Sequence, residues 1–355
     1  SGHGKFRGVV QIGIKNKHKV KKILIVGLGS IGTRHLEVIK ELFPDIKIFA
    51  LRHKSIKDSE VAEGIELSFV NVKEAIKQKP DMAIIANPSP MHLVIATDLA
   101  DAGIHLLIEK PLSNNCEGVS ELLSLSSARN IKLMTGFNLR FLPCLVFLKK
   151  QIDESKAGNV LSIQAEVGQN LSQWRPASDY STGVSARKDL GGGVLLELCH
   201  EIDYLAWIFG RVQWVIGSLS NQSNLNIDVE DTANIFMGLK AKAFNNNNID
   251  VVLKMDFTRL DISRNVTVIG DEGTLKCNLI NGEVSYYCGT KGCWEEIFLD
   301  NKERNYTFQL QLKSFINSIE SDCEPEITGA DGLLALEIIQ AIRSSNVQDK
   351  KIYLD

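Results

Sequence analysis

Short apolar runs alternate with helix-like segments in the first part of the chain. The apolar run 23–26 is followed by a glycine-rich turn and by a helical pattern over residues 33–42, which Pro44 closes. The alternation continues, with strands predicted at 46–51, 67–70, 82–86, 105–108 and 132–136 and helices at 72–78, 91–102 and 115–129. Strands that alternate with helices predict a parallel sheet covered on both faces, and therefore the α/β fold class.

The pattern changes after about Phe141. Apolar segments at 161–167, 212–220, 233–239, 249–257 and 265–269 follow one another without alternating helices, which predicts an antiparallel sheet. Residues 245–248 are all asparagine and are expected to form an exposed hairpin loop. Helices are predicted at 193–209 and 332–344 in this half.

Composition narrows the classes of function. The 355 residues are 44% hydrophobic and carry 40 basic and 43 acidic side chains, for a formal net charge of −3. This length predicts two domains, and the longest apolar runs are too short to cross a bilayer. A net charge close to zero argues against general electrostatic binding to nucleic acid or membranes. Small-molecule chemistry is favoured, with no nucleic acid and no membrane as partner.

The N-terminus and the cysteines suggest a cytoplasmic protein. The first residues are rich in glycine and basic side chains and lack the apolar core of a signal peptide, so residues 1–20 are interpreted as a tag or a disordered arm. The seven cysteines are dispersed and contain no CxxC pair. The closest two, Cys288 and Cys293, have no accompanying ligands, so no metal site is predicted. Free thiols in a reducing cytoplasm fit this pattern.

A glycine motif follows the first strand. Residues 27–32 match GxGxxG between an apolar strand and an amphipathic helix, the context in which the motif indicates a dinucleotide site. Gly27 permits the tight turn, Gly29 lets the backbone approach a pyrophosphate, and Gly32 allows close packing of helix and strand. The start of the helix supplies unpaired N–H groups. The residues expected at the cofactor are Gly27, Gly29, Ser30, Ile31 and Gly32.

The choice of cofactor depends on the end of the second strand. An enzyme that uses NAD normally places a carboxylate there for the ribose hydroxyls. This chain has Arg52, Lys54 and Ser55 instead, and these side chains could hold a 2′-phosphate. NADP(H) is therefore preferred and NAD(H) possible, with a solvated basic loop as the alternative interpretation.

Two further motifs carry reactive side chains. Glu109-Lys110-Pro111 directly follows the strand at 105–108, at the carboxyl edge of the sheet, where ligands of such folds bind. A run of three glycines at 191–193 leads to His200 on the predicted helix, whose apolar stripe is Leu195, Leu198, Ile202, Leu205 and Phe209. His200 lies roughly opposite that stripe by helical periodicity, near Asp203. A second buried face is implied, and periodicity leaves open whether His200 faces a cleft or the core.

The order and spacing of these motifs resemble the Gfo/Idh/MocA oxidoreductase family, over nearly the whole chain from about Lys21 to Leu354. The motifs that carry the resemblance are residues 27–32, 87–92, 109–111, 136–141, 191–200, 270–274 and 329–337. The resemblance implies a Rossmann dinucleotide-binding domain, here 21–141, followed by a substrate-binding and oligomerisation α+β domain, here 142–355. The second domain would have an open, mostly antiparallel sheet that commonly forms oligomer interfaces, so a homodimer or homotetramer is expected.

The resemblance also implies roles for individual residues. Lys110 matches the family's lysine that interacts with the reacting oxygen, and His200 matches its acid/base histidine. These roles agree with the chemistry, because an imidazole can take the hydroxyl proton while a lysine stabilises the developing alkoxide. Many members carry an aspartate four residues before the histidine, where this chain has Leu196. Either Glu197 replaces that aspartate or Asp203 takes its role, and both stay candidates for the catalytic set.

The same motifs predict further cofactor-binding residues, which are Asn87, Pro88, His92, Glu109, Lys110 and Asn138. His92 is expected to cap or pack its helix rather than to react, and His35, inside the first helix, is expected on the surface. Asn138 and Arg140 would lie at the domain junction, where a role in the cleft and a structural role are both open.

A segment ahead of the three glycines carries side chains that bind sugars and anions. These are Trp174, Arg175, Asp179 and Tyr180. The segment resembles a subgroup of the family associated with bacterial surface-carbohydrate pathways. The hypothesis is that these four residues, together with Arg140, Lys110 and His200, contact a sugar that is acidic or nucleotide-linked. An ordinary loop packed by its tryptophan is the alternative.

The sequence therefore predicts an NAD(P)-dependent oxidoreductase that moves a hydride between the nicotinamide and a hydroxyl or keto carbon of a sugar or sugar derivative. Known members of the family oxidise or reduce sugars, cyclitols and their derivatives. Two alternatives stay open: a glycosidase that uses its dinucleotide transiently, and a non-catalytic sensor that binds a dinucleotide.

Overall fold

The computed structural model describes residues 19–54, 62–174, 176, 178–241, 248–303 and 305–354. Residues 1–18 of the expected N-terminal arm and most of the asparagine tract lie outside these ranges, and Asn248 is the first residue of a strand. Val20 is 1% exposed and belongs to the hydrophobic core. The backbone N–H of Lys19 donates to the Glu320 carboxylate (2.8 Å). Lys19 and Val20 therefore belong to the folded unit.

The first sheet is parallel. Within the described residues its strands are β1 (Lys22–Val26), β2 (Lys47–Leu51), β3 (Leu67–Phe69), β4 (Met82–Ile85), β5 (His105–Glu109) and β6 (Leu133–Gly136). The connecting helices are α1 (Ser30–Leu42), α2 (Val72–Lys77), α3 (His92–Asp101) and α4 (Val119–Ala128). The strand order is β3-β2-β1-β4-β5-β6, with every neighbouring pair parallel. The predicted α/β sheet is confirmed, and its order changes direction between β1 and β4, where ligands bind in such sheets.

The second sheet is mostly antiparallel. Its described strands are β7 (Val160–Gly168), β8 (Gly210–Ser220), β9 (Thr232–Ala241), β10 (Asn248–Asp256), β11 (Ser263–Gly270), β12 (Gly273–Asn278), β13 (Glu283–Cys288), β14 (Cys293–Leu299) and β15 (Ile352–Tyr353). They lie in the order β14-β13-β12-β11-β7-β10-β9-β8-β15. Only β7 and β10 pair in parallel among these strands. Along β10, buried and exposed residues alternate, so one face of the sheet packs against the core and the other is open.

The helices of the second half depart from the prediction in three ways. The described helices here are α5 (Pro143–Asp153), α6 (Val194–Glu197), α7 (His200–Phe209), α8 (Tyr306–Glu320) and α9 (Gly329–Gln348). The helix predicted at 193–209 is interrupted at Leu198 and Cys199, and α5 and α8 were not predicted. The helix α9 is longer than predicted and begins with a capping box between Thr328 and Asp331. In the described part of the chain, no helix combines the length and apolar character needed to span a membrane.

The last helix packs back against the first sheet, and α8 packs against α1. Thr328, at the start of α9, forms an isolated bridge with Met134 of β6, and the Thr135 hydroxyl donates to the Thr328 carbonyl (2.9 Å). A Cβ on Gly332 would lie 2.5 Å from the Thr135 hydroxyl oxygen, so only glycine allows this close approach. The C-terminal part of the chain thus covers β6, and the division at residue 141 stays a prediction.

Candidate active site

The glycine turn between β1 and α1 has the geometry of an anion site. Gly27 has a φ of +85°, and a Cβ on Gly32 would lie 1.9 Å from the Gly27 carbonyl oxygen. A Cβ on Gly29 would meet no atom of the described residues within 4 Å. The helix α1 begins at Ser30 without a side-chain cap on its first N–H groups. The backbone is therefore open to a ligand at Gly29, and helix N–H groups are available to it.

Asn87 lies beside this turn, just after β4. A Cβ on Gly27 would lie 2.9 Å from the Asn87 backbone nitrogen. The side-chain oxygen and nitrogen of Asn87 are both buried, and neither has a hydrogen-bond partner among the described residues. Because an unsatisfied buried amide is costly, a polar ligand in the crevice between β1 and β4 would stabilise it. The residues present fit a dinucleotide.

His92 connects two turns at this edge of the sheet. One ring nitrogen lies 2.7 Å from the Asn87 carbonyl oxygen and the other 3.1 Å from that of Pro111. Burial lowers the pKa of His92, although the surrounding carbonyl groups act in the opposite direction. Pro88 precedes the short helical turn that leads into α3. His92 therefore packs between the Asn87 turn and the segment that follows Lys110.

The basic residues expected at a ribose phosphate follow β2. Arg52 is half-buried, and its backbone N–H donates to the Phe69 carbonyl (2.8 Å). Lys54 is exposed. Ser55 lies outside the described residues.

The expected surface position of His35 is wrong. His35 is 0% exposed, its Nε2 lies 2.6 Å from the Glu109 carboxylate, and its ring packs edge-on against Phe308 of α8 (5.3 Å). The helix α8, which covers this face of α1, was not predicted. A local signal existed, because Gly32, His35, Leu36 and Ile39 follow helical spacing and all four are buried.

Lys110 reaches from the first sheet to the second half of the chain. Its Nζ donates to the backbone oxygen of Glu197 (2.7 Å). Glu197 is the last residue of α6, and α7 begins only at His200. Since the last carbonyl groups of a helix lack partners within it, the end of α6 offers Lys110 an acceptor three residues before His200.

His200 lies at the start of α7 in an environment that disfavours its charged form. Its residue is half-buried, its ring packs edge-on against Phe137 (5.9 Å), and its Nδ1 is buried without a hydrogen-bond partner in the described structure. Loss of solvation lowers the pKa of His200 well below 6.5, and the charges of Lys110 and Arg264 lower it further. The imidazole is therefore neutral near pH 7.

The two candidate carboxylates have other partners. The Glu197 side chain accepts a hydrogen bond from the Ser185 hydroxyl (2.8 Å). The Asp203 carboxylate binds the Arg140 guanidinium through two contacts of 2.6 and 3.0 Å, and Arg140 also contacts Asp331 (2.9 Å). Burial raises the pKa of Asp203 to about 6, although Arg140 acts in the opposite direction. Arg140 thus joins α7 to α9, and neither carboxylate bonds to the Nδ1 of His200.

Asn138, just after β6, is also engaged in packing. Its amide nitrogen donates to the Thr307 hydroxyl at the start of α8 (2.7 Å), and both residues are buried. This bond fixes the junction between β6 and α8, close to Arg140 in the chain.

The side chains expected to bind sugar have local partners. The Trp174 indole N–H donates to the Gln169 carbonyl (3.1 Å), and the Asp179 carboxylate accepts from the backbone of Ser181 (2.9 Å). The Tyr180 hydroxyl accepts from the backbone of Asn226 (3.2 Å). Arg175 lies outside the described residues. These bonds shape the loop itself, and none of them joins it to Lys110 or His200.

An ion pair beside His200 was not foreseen from the sequence. Glu201 is 0% exposed and binds Arg264 of β11 through contacts of 2.6 and 2.9 Å. Glu201 follows His200 on a helix with two buried faces, so the sequence indicated that a buried carboxylate would need a positively charged partner. Which residue provides that charge depends on the tertiary structure. Across the described ranges, no group of three or more His, Cys, Asp or Glu residues is arranged to hold a metal ion.

The chain is similar to a known protein family and to several known proteins. The profile of the GFO_IDH_MocA oxidoreductase family, NAD-binding Rossmann fold, matches residues 21–137. The profile of the family's C-terminal alpha/beta domain matches residues 149–354. Myo-inositol 2-dehydrogenase of Thermotoga maritima is 24% identical over 351 residues, which cover 94% of this chain and 98% of that protein. Glucose-6-phosphate 3-dehydrogenase of Bacillus subtilis is 24% identical, covering 94% and 99%.

Solved structures share the fold along the same length. A levoglucosan dehydrogenase in complex with NADH superposes with a TM-score of 0.82 at 20% identity, covering 94% of this chain and 99% of that one. The WlbA dehydrogenase from Bordetella pertussis, in complex with NADH and UDP-GlcNAcA, superposes with a TM-score of 0.78 at 19% identity, covering 95% and 98%. At these identities the likeness establishes the fold.

Proposed function

The chain belongs to the Gfo/Idh/MocA oxidoreductase family, and on that premise we propose that it oxidises or reduces a hydroxyl-bearing carbon of a sugar derivative. One observation carries the proposal. Lys110 lies at the carboxyl edge of the first sheet, and its Nζ donates to the Glu197 carbonyl at the end of α6, just before the helix that begins with His200. A cation and a neutral imidazole thus lie near each other at the carboxyl edge of the sheet.

The nicotinamide dinucleotide, when bound, would supply or accept the hydride. Gly29, the first N–H groups of α1 and the Asn87 amide would hold it, since they combine open space with unpaired polar groups. His92 packs between the carbonyl groups of Asn87 and Pro111, and its one ring N–H donates to one of them.

His200 exchanges the proton of the substrate hydroxyl in this proposal. An alcohol that loses a hydride must also lose a proton, and only a neutral imidazole can accept it. The lowered pKa of His200 keeps the ring neutral at physiological pH. In the opposite direction the protonated ring returns the proton to the substrate oxygen.

Lys110 stabilises the oxygen that becomes negative. Its ammonium has three N–H donors, and one of them is directed to the Glu197 carbonyl. The remaining donors are available to a substrate oxygen, where a cation stabilises the developing alkoxide. We assign Glu197 and Asp203 to positioning: Glu197 holds Lys110 through its carbonyl, and Asp203 holds Arg140.

We infer a preference for NADP(H) from the end of β2. Arg52 and Lys54 stand where an NAD enzyme normally has a carboxylate. Arg52→Gln should raise the KM for NADP⁺ much more than the KM for NAD⁺. Lys47→Gln, at an exposed lysine on the same strand, is the control and should change neither. Equal KM values for the two cofactors in the unmodified protein would contradict the preference.

We also infer a homo-oligomer that associates through the open face of the second sheet. Ile216, Phe236 and Val252 lie opposite one another on β8, β9 and β10 and are 39%, 37% and 53% exposed. Such a continuous apolar row typically marks a contact surface. Phe236→Asp should lower the mass measured by sedimentation velocity, whereas Leu260→Asp, at an exposed residue outside the strands, should not.

We place the protein in a reducing compartment, with the cytoplasm as the simplest case. All seven cysteines are free thiols in the structure, and structural disulfides are characteristic of oxidising compartments. Fractionation of cells that express the chain with a C-terminal epitope would test this placement.

The proposed reaction is tested with the purified full chain. A panel of cyclitols, hexoses, hexose phosphates and nucleotide-linked uronic acids is mixed with NADP⁺ or NAD⁺, and the nicotinamide absorbance is followed. Absorbance should change with at least one compound, and both Lys110→Met and His200→Ala should suppress the change. Full activity in both variants would overturn the assigned roles.

The same assay separates the alternatives. Release of a sugar without net change in the nicotinamide would indicate a glycosidase that uses its cofactor transiently. Tight dinucleotide binding without turnover across the panel would indicate a sensor. Either result would replace the proposed reaction while leaving the cofactor site intact.

A further inference from the structure

Two cysteines face each other at the end of the β13–β14 hairpin. Cys288 is the last residue of β13 and Cys293 the first of β14, and the two are directly paired in the strand register. The loop between them is closed by hydrogen bonds from the N–H groups of Lys291 (3.2 Å) and Gly292 (2.8 Å) to the Cys288 carbonyl. Directly opposed residues point to the same face of a sheet with Cβ atoms about 4.5–5.5 Å apart.

This arrangement is compatible with a disulfide without a change in the fold. Disulfides bridge Cα atoms about 4.4–6.8 Å apart, and directly opposed residues of an antiparallel pair have Cα separations of about 4.5–5.5 Å. Both cysteines are free thiols in the structure. Rotation of the side chains, with a small approach of the two Cβ atoms to the distance of about 3.5–4.5 Å found in disulfides, would therefore join the two sulfurs.

The surroundings of Cys288 favour its reactive form. Its Sγ lies 3.2 Å from the Thr290 hydroxyl oxygen. The Thr290 hydroxyl, the backbone N–H of Lys291 and the Lys291 ammonium lower the pKa of the Cys288 thiol. The thiolate is the nucleophile in exchange with disulfides, so Cys288 is the attacking group of the pair.

Both thiols can be reached from solvent. Cys293 is exposed and Cys288 is half-buried, and β14 is the edge strand of the sheet. By contrast Cys144, Cys199 and Cys277 are buried. Cys323 is also exposed but lies outside the described strands, after α8, so it offers an accessible thiol without a directly opposed partner.

We propose that Cys288 and Cys293 form a redox-active dithiol, a modification site at which a small-molecule disulfide such as oxidised glutathione reversibly closes the hairpin. The Cys288 thiolate attacks one glutathione sulfur, the glutathione S–S bond breaks, and one glutathione thiolate leaves and takes up a proton. The Cys293 thiolate then attacks the Cys288 sulfur of the mixed disulfide, and the second glutathione leaves in the same way. Two cysteine thiols are oxidised and one glutathione disulfide is reduced to two thiols.

The test uses the reduced full chain equilibrated at graded ratios of reduced to oxidised glutathione, followed by alkylation of the remaining thiols. Trypsin cuts after Lys276 and Lys291, so a disulfide would link the peptide 277–291 to the peptide that contains Cys293, and fragmentation distinguishes Cys288 from Cys277 as the linked residue. We expect the linked peptides to appear as two of the seven thiols are lost together. Dithiothreitol should restore both thiols.

Variants separate a true pair from two independent thiols. Cys293→Ser should trap Cys288 as a stable mixed disulfide with glutathione, and Cys323→Ser should leave the Cys288–Cys293 transition unchanged. Thr290→Val should slow alkylation of Cys288 without removing the linked peptides. The proposal is overturned if Cys288 and Cys293 each acquire glutathione in the unmodified protein, or stay reduced where Cys323 is fully modified. None of these measurements depends on catalytic turnover.

Discussion

Two histidines lie near the Glu109–Lys110 segment, and they differ in the sign of the charge they face. His35 is enclosed between α1 and α8, with its Nε2 on the Glu109 carboxylate. His200 keeps some exposure, and loss of solvation, reinforced by the nearby cations Lys110 and Arg264, lowers the pKa of its imidazole and keeps it neutral. Burial alone therefore does not identify a reactive histidine. The charge of the neighbours, and the partial exposure of the residue, distinguish a base from a structural group.

The largest expected effect tests this distinction directly. His200→Asn should lower kcat by about 100- to 10,000-fold, the range of a lost general base, while leaving the thermal midpoint nearly unchanged. His35→Asn should lower kcat far less, because its ring acts only through Glu109. Steady-state kinetics with the substrate found in the panel compares the two variants. Similar losses of kcat in both would break the comparison.

The next largest expected effect is a loss of stability when the ion pairs of Arg140 are removed. Arg140→Met would leave the Asp203 carboxylate buried without its cation, and removing one partner of a buried pair costs about 3–5 kcal/mol. The midpoint of urea unfolding, followed by circular dichroism, should fall accordingly. Arg140→Lys keeps the charge and should lose less. An unchanged midpoint for Arg140→Met would show that the pair does not hold α7 in place.

These same residues show which features of the structure could be predicted from the sequence. The strands and helices of the first sheet were predicted within a few residues, whereas α5 and α8 were missed. The glycine turn, Lys110 and His200 were identified by motif. His35 was misplaced because the residue that covers it, Phe308, lies on a helix far along the chain. Arg140 meets Asp203 and Asp331 across 63 and 191 residues of sequence. Such pairings depend on packing, which local periodicity does not contain.

The bond between His35 and Glu109 should have a smaller effect on stability. A hydrogen bond to a charged group contributes about 1.5–3 kcal/mol, so His35→Asn and Glu109→Gln should each lower the unfolding midpoint moderately. In the double variant the losses should be less than additive, because both single variants remove the same bond. Strict additivity would show that the 2.6 Å contact contributes little.

The smallest expected effect is a shift in the pKa of His200, which tests the influence of the charges around it. Loss of solvation and the charges of Lys110 and Arg264 lower the pKa of His200 below 6.5. The folded protein therefore binds this proton less readily than the unfolded chain, so stability contributed by the neutral ring is present above pH 6.5 and is lost as the pH falls toward the lowered pKa. For the same reason the acid limb of kcat/KM should lie below that of an ordinary histidine.

Histidine NMR measures this shift without turnover. The His200 signal is assigned by its absence from His200→Asn and is then titrated in the unmodified protein and in Lys110→Met. Removing the Lys110 charge should raise the His200 midpoint, because one of the causes that lower it is gone. An unchanged His200 midpoint would mean that burial alone keeps the ring neutral, and that the cation beside it serves only the substrate oxygen.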